Sequence, residues 1–234
     1  MPSAALLRAQ IEESLPSAFA VYTRIQRGNL PTGISAIDSL VQGVPLNALT
    51  EICGSNIASS GKTSVMASLL AQASQDCFCA LVDASDAFDP ESGYSAGINF
   101  SKMLWVRCGK SKTRLRPLEQ AFKVADILLQ SGGFGLIVVD LSTISERMIC
   151  KVPLSTWFRF SRVVEKQSTA LVFIEQESHA ASCAGLVLCV QAQPALPVGK
   201  LLTRFDLKVE VVRRCTKKPA RSESSGFSLK TQWA

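Results

Sequence analysis

Lys62 and Thr63 close the stretch Gly54-Ser55-Asn56-Ile57-Ala58-Ser59-Ser60-Gly61-Lys62-Thr63, and they are the residues of this chain best suited to polyanion chemistry. A loop of small residues can turn its backbone N–H groups inward as an anion nest. A helix starting at Lys62 would aim its positive end at the same point. In that setting Lys62 reaches the outer phosphate oxygens of ATP and the Thr63 hydroxyl coordinates Mg²⁺, while Gly54, Ser59, Ser60, Gly61 and Ser64 supply the cradle. The spacing is irregular, because Gly54 and Gly61 enclose six residues, a longer span than the usual pattern. Asn56 stands where the first glycine belongs, and Asn tolerates left-handed backbone angles better than most residues. The competing reading is a chance Ser-Gly-Lys-Thr in a surface turn. Against it, an apolar strand pattern precedes the loop and a helical pattern follows it.

A phosphate site of this kind needs a second carboxylate-bearing element, and Leu136-Ile137-Val138-Val139-Asp140 supplies a candidate. At the carboxyl end of a buried strand, Asp140 would lie beside the loop and hold Mg²⁺ directly or through water. Many apolar runs end in Asp simply because the strand ends there; the position downstream of the loop favours the functional reading.

The elements that position these residues alternate. Ser35 is placed to cap a short helix bearing Ile37, Leu40 and Val41, which Gly43 and Pro45 end. Ala48 to Cys53 reads as a buried strand. Lys62 to Gln75 carries Val65, Met66, Leu69, Leu70 and Ala73 at helical spacing, and Phe78 to Val82 is the next apolar run. Met103 to Val106 and Phe134 to Val139 read as strands, Leu118 to Leu129 and Pro153 to Lys166 as helices, and Ala170 to Ile174 as a further strand. Strands apolar on both faces and separated by helices imply a mainly parallel sheet covered on both sides. Leu186 to Val190, Phe205 to Val212 and Phe227 to Thr231 have strand composition with no helical pattern between them, which predicts an antiparallel extension. Residues 1–30 read as a short helix (3–14) plus linker, and 31–234 as the nucleotide-binding core.

Composition narrows the class. A chain of 234 residues with 47% hydrophobic and 19% charged content builds one core with a small appendage. The net charge of +6 favours a polyanionic partner. Eight cysteines, scattered mostly within apolar runs and without a Cys-x-x-Cys pair, read as reduced thiols. The single histidine, His179, lies among Ser and Ala, so no structural metal is expected. No apolar run reads as a signal peptide or a membrane span, and a cytoplasmic location is the expectation.

The ordered set Pro31-Thr32-Gly33-Ile34-Ser35-Ala36-Ile37-Asp38, Thr50-Glu51-Ile52-Cys53-Gly54, Ser59 to Thr63, Ala80 to Pro90, Asp140 and Leu171-Val172-Phe173-Ile174-Glu175-Gln176 resembles the RecA-like P-loop recombination and repair ATPases. Within that group the chain looks most like the short bacterial RecA-like (ImuA-type) proteins of the SOS response to DNA damage. The resemblance implies a RecA-like α/β fold, ATP and Mg²⁺ as ligands, and DNA or a DNA-repair protein such as a lesion-bypass polymerase as partner, with no membrane role and homo-oligomers as an option. It also implies a γ-phosphate sensor at Gln176. Where RecA carries Asp-Ala-Glu, with the glutamate activating water, this chain has Asp83-Ala84-Ser85, and serine cannot accept that proton at neutral pH. Asp86 is a weak substitute. The expected role is therefore a nucleotide-responsive adaptor with weak or no hydrolysis. An active DNA-dependent ATPase or recombinase and a P-loop small-molecule kinase are the alternatives.

The stretch Glu177 to Ala184, where RecA has a DNA-gripping loop, carries no lysine or arginine. Basic residues gather instead at Arg107, Lys110, Lys112, Arg114 and Arg116, and at Arg213, Arg214, Lys217, Lys218 and Arg221. Solvated loops and contacts to a phosphate backbone or protein partner are both compatible with that pattern. Trp157, Phe158 and Phe160 at helical spacing read as core rather than as a base-stacking platform.

Overall fold

The computed structural model describes residues 28–54, 60–109, 116–193, 204–214 and 223–230. The predicted N-terminal helix, Ser59 of the phosphate loop, and Lys110, Lys112, Arg114, Lys217, Lys218 and Arg221 lie outside the described residues.

The strands are β1 (Asn29–Leu30), β2 (Val44–Pro45), β3 (Ala48–Cys53), β4 (Cys79–Asp83), β5 (Met103–Arg107), β6 (Leu136–Asp140), β7 (Ala170–Glu175), β8 (Leu186–Ala192), β9 (Arg204–Arg214) and β10 (Glu223–Lys230). β1 and β2 form a small antiparallel ribbon. The others form one sheet in the order β10-β9-β8-β3-β7-β6-β4-β5. All neighbours from β8 to β5 are parallel, and β9 and β10 alone run antiparallel. β8, β9 and β10 thus pair antiparallel with one another, as their composition predicts, and the extension joins the parallel strands through β8, which runs parallel to β3. The chain between β7 and β8 returns to the starting end through an irregular crossover with a 3-10 turn at Ala181–Cys183, so β8 pairs parallel to β3 without an α-helix before it.

Because side chains alternate across a strand, the sheet feeds two cores. On one face Leu49, Val82, Ile137, Val139, Leu171 and Phe173 meet α4 (Pro117–Ser131) and α6 (Leu154–Val164). On the other Ile52, Leu81, Val138, Val172 and Ile174 meet α1 (Ser35–Val41) and α2 (Lys62–Asp76). α3 (Pro90–Ser95) and α5 (Glu146–Ile149) are short. Trp157 of α6 packs edge-on against Phe122 and Phe173, and Phe160 packs edge-on against Phe122 and tilts onto Phe173, in agreement with a core role. Phe158 departs from that reading: it is exposed, with the Arg162 guanidinium over its ring.

The entry to α1 also differs from expectation. Ser35 is the first helical residue rather than the cap, and its side chain does not close the helix end. Instead Thr32 donates from both its backbone N and its hydroxyl to Asp38 Oδ1, and its hydroxyl accepts from Ile34 N. Thr32 is fully buried, so this internal network satisfies groups that water cannot reach.

Among the described residues no helix is long and apolar enough to cross a membrane.

Candidate functional site

The parallel strands β3, β7 and β6 lie side by side, and their carboxyl ends carry Gly54, Gln176 and Asp140 along one edge of the sheet. Crevices at this edge are where open α/β sheets hold ligands. Gly54 leaves β3, and its N donates to Glu175 O at the end of β7 (3.2 Å). A Cβ on Gly54 would meet Ser60 Oγ at 2.5 Å and Val190 O at 2.8 Å, so only glycine lets the two arms of the loop approach this closely. Gly61 caps α2 in the left-handed region (φ 82°), and a Cβ there would strike Leu207 Cδ1 of β9 at 2.4 Å. The same backbone leaves the first N–H groups of α2 pointing out of the helix end.

Lys62 opens α2 and is buried, with Nζ donating to Gly54 O at 2.7 Å. Burial pulls its pKa below the ordinary lysine value, and Asp140 partly opposes that shift. Thr63 and Ser64 are exposed on the first turn. Asp140 is buried, and burial pushes its carboxyl above the ordinary range, with Asp83 adding to the shift and Ser142 and Lys62 opposing it. Ser142 N donates to Asp140 Oδ1 at 2.9 Å. Gln176 sits between these parts, donating from Nε2 to Ile144 O (2.9 Å) and Ser142 O (3.3 Å). The predicted sensor thus ties the end of β7 to the segment that follows Asp140.

Asp83 and Asp140 are paired in register on β4 and β6. Asp83 organises its own turn, accepting from Ala87 N, Phe88 N and Trp105 Nε1 at 3.0, 2.9 and 3.3 Å. Ser85 is exposed on that turn. Asp86 adopts a left-handed backbone (φ 57°), and Arg107 Nε and Nη2 engage its two carboxylate oxygens. A carboxylate held at both oxygens by a guanidinium is poorly placed to take a proton from water.

The basic residues that can be described divide. Arg107 is bound to Asp86 and lies over the Trp105 ring, Arg213 donates to Ala181 O at 2.8 Å, and Arg116 is exposed at the start of α4. Arg214 belongs to β9, but its side chain lies outside the description.

Two features escaped the sequence reading. Glu51, fully buried in the middle of β3, accepts from Ser178 Oγ (2.6 Å), His179 N (2.7 Å) and Ala180 N (2.7 Å), and so fixes the path of the chain after β7. A carboxylate inside an apolar strand was the visible signal. The second concerns His179, whose sequence neighbours suggested no ligand nearby. In space Cys150 Sγ lies 3.4 Å from its Nε2, Glu175 Oε2 lies 2.7 Å from its Nδ1, and Glu146 is close by, so that expectation is corrected. Burial pushes Glu175 up, to about 7, and its carboxylate holds His179 up, to about 9. The signal here was a pair of i,i+4 spacings, Glu146/Cys150 and Glu175/His179, brought together by the fold.

The RecA N-terminal domain family matches residues 21–149 of this chain. Similar proteins include Protein RecA of Ectopseudomonas oleovorans, 41% identical over 43% of this chain and 26% of its own length. Protein RecA of Cutibacterium acnes is 37% identical over 47% of this chain and 30% of its own. Protein RecA of Rickettsia bellii is 33% identical over 56% of this chain and 38% of its own. The matched stretch is thus well under half the length of each of these relatives.

Proposed function

Since the chain belongs to the RecA N-terminal domain family, we propose that it binds ATP with Mg²⁺ at the edge formed by Gly54, Lys62, Thr63 and Asp140, and acts in DNA repair or damage tolerance as a nucleotide-responsive adaptor. The observation that carries the reading is the close approach at Gly54 and Gly61, where any Cβ would collide, beside a buried lysine and a buried aspartate. That arrangement fits a triphosphate and its metal. Gly61 and the start of α2 offer backbone donors, Lys62 offers a cation that can leave Gly54 O for a phosphate oxygen, and Thr63 and Asp140 offer the metal a hydroxyl and a carboxylate. Bound Mg²⁺ would neutralise phosphate charge. Gln176, bonded to the carbonyls beyond Asp140, is positioned to relay occupancy of the γ-phosphate position to the chain that follows it.

Slow hydrolysis is favoured over a recombinase-like turnover by the exposed Ser85 at the water-activating position and by the engagement of Asp86 with Arg107. A protein partner such as a lesion-bypass polymerase, as in the ImuA-type relatives that the sequence resembles, accords with the crossover after β7. That segment is short, carries no basic residue and is bound down by Glu51.

Calorimetric titration with ATP·Mg²⁺ tests the site. Lys62→Ala removes a charge-assisted contact and should weaken binding by about 10- to 100-fold, the equivalent of about 1.5–3 kcal/mol. Equal affinities for wild type and Lys62→Ala would overturn the assignment.

A further inference from the structure

Glu146 begins α5 and Cys150 follows its last residue, so the two lie one helical turn apart on the same side. His179 comes from the segment after β7 and completes a group whose ligand atoms all lie within 4.8 Å of one another. The separation of Cys150 Sγ and His179 Nε2 is 3.4 Å. Two such donors on one zinc ion, with bonds of about 2.0–2.3 Å at a tetrahedral angle, stand roughly 3.6 Å apart. Little movement is required to bring them onto a common ion.

The supporting groups are of the kind a metal site needs. A carboxylate only accepts hydrogen bonds, so the contact between Glu175 Oε2 and His179 places the hydrogen on Nδ1 and leaves Nε2 to face Cys150. Orientation of a ligating histidine by a carboxylate on its far nitrogen is the common outer-shell arrangement. Glu175 is fully buried and Glu51 holds the histidine backbone, so the imidazole is fixed from two sides. The Glu177 carboxyl shares a hydrogen bond with Glu146 and stands next to the group as a further oxygen donor. Cys150 is exposed, which gives an ion a path in.

We propose that Glu146, Cys150 and His179 form a transition-metal site of the zinc class, oriented by Glu175 and separate from the Mg²⁺ position at Thr63 and Asp140. Thiolate, imidazole and carboxylate together select zinc or cobalt over magnesium or calcium. Three protein ligands leave one position for water, for Glu177 or for a donor from a partner. The ion staples the segment after β6 to the segment after β7, the same two segments that Gln176 joins. The inference does not depend on nucleotide binding, and it is testable without nucleotide.

The experiment uses the full chain, stripped of metal with a chelator under reducing conditions and titrated with Co²⁺ alone. The expected result is saturation at about one equivalent, with the absorption of a tetrahedral ion and a thiolate-to-cobalt charge-transfer band, both displaced by Zn²⁺. Cys150→Ser should abolish the charge-transfer band, and Cys189→Ser should retain it. Glu175→Gln should weaken affinity about 10- to 100-fold. Cys150 lies at the surface, and circular dichroism verifies that its variant is folded. Absence of a thiolate band in wild type, or its survival in folded Cys150→Ser, overturns the proposal.

Discussion

Removing the Glu51 carboxylate should unfasten the chain after β7 and measurably destabilise the whole protein. Glu51→Ala leaves three donors without their acceptor, namely Ser178 Oγ, His179 N and Ala180 N. They are not equivalent. Ser178 is exposed and can turn to water, His179 is part-buried, and Ala180 is fully buried. A buried donor left unsatisfied costs about 1–3 kcal/mol, and a hydrogen bond to a charged group is worth about 1.5–3 kcal/mol. The variant also escapes the desolvation of a buried carboxylate, which offsets part of the loss. The net expectation is a loss of about 2–4 kcal/mol. For a chain of this size that lowers Tm by about 4–16 °C. Glu51→Gln keeps one carbonyl oxygen but points an NH₂ at donors, so it should fall between wild type and Ala. Urea unfolding monitored by fluorescence gives the global loss, and hydrogen exchange gives its location, with amides at 178–183 losing protection first. A Glu51→Ala protein within about 1 kcal/mol of wild type, with unchanged exchange over those amides, would show that the carboxylate does not hold the segment.

Two further outcomes follow from the nucleotide site. Ser85→Glu places a carboxylate at the proposed water-activating position, so phosphate release should rise, by as much as about 10²- to 10⁴-fold if the remaining groups align; no increase, with ATP affinity intact, would mean that position 85 is not where water is activated. Burial raises the Asp140 pKa above its ordinary 3.8, so the folded chain holds this proton more tightly than the unfolded chain. The contribution of Asp140 to stability is therefore most favourable below 3.8 and declines as pH rises through the raised value. Mg²⁺ requires the ionised form, so Mg²⁺-dependent ATP affinity should fall as acid protonates Asp140, and Asp140→Asn should abolish that pH dependence; an unchanged profile in the variant would count against Asp140 as the metal carboxylate.

The parallel core was legible because its central strands β3, β4, β6 and β7 are buried on both faces, and a strand such as Leu136-Ile137-Val138-Val139-Asp140 then shows an unbroken apolar run ended by a polar residue. The direction of β8 was not legible. Leu186–Ala192 has the same composition whichever way it runs, and its direction is set by the crossover before it, whose 3-10 turn has no periodicity to read. Lys62 and Asp140 could be singled out as candidates because each sits at an element boundary beside an apolar run, and Gln176 through the resemblance to the RecA-like ATPases. Glu51 and the group around Cys150 could not, because their meaning comes from partners more than 25 residues away in sequence, as in the 29-residue separation of Cys150 from His179. The reach of Thr32 to Asp38, which displaced Ser35 from the capping role, is an intermediate case: two polar residues flanking an apolar helix start, with several local pairings equally open to the backbone.

The packing of Leu207 against Gly61 has a consequence for biosynthesis. Residues 48 to 193 already contain every parallel strand and the side chains of the proposed nucleotide site, yet the back of the phosphate loop is closed by β9, which a ribosome makes after all of them. A nascent chain halted before β9 would have a largely assembled sheet with Val190 and Gly61 uncovered, where Leu207, Val209 and Val211 belong. Competence of the proposed nucleotide site would then arrive only once β9 has been made, and truncation ahead of β9 would act as a loss of ligand binding before it acted as a loss of fold.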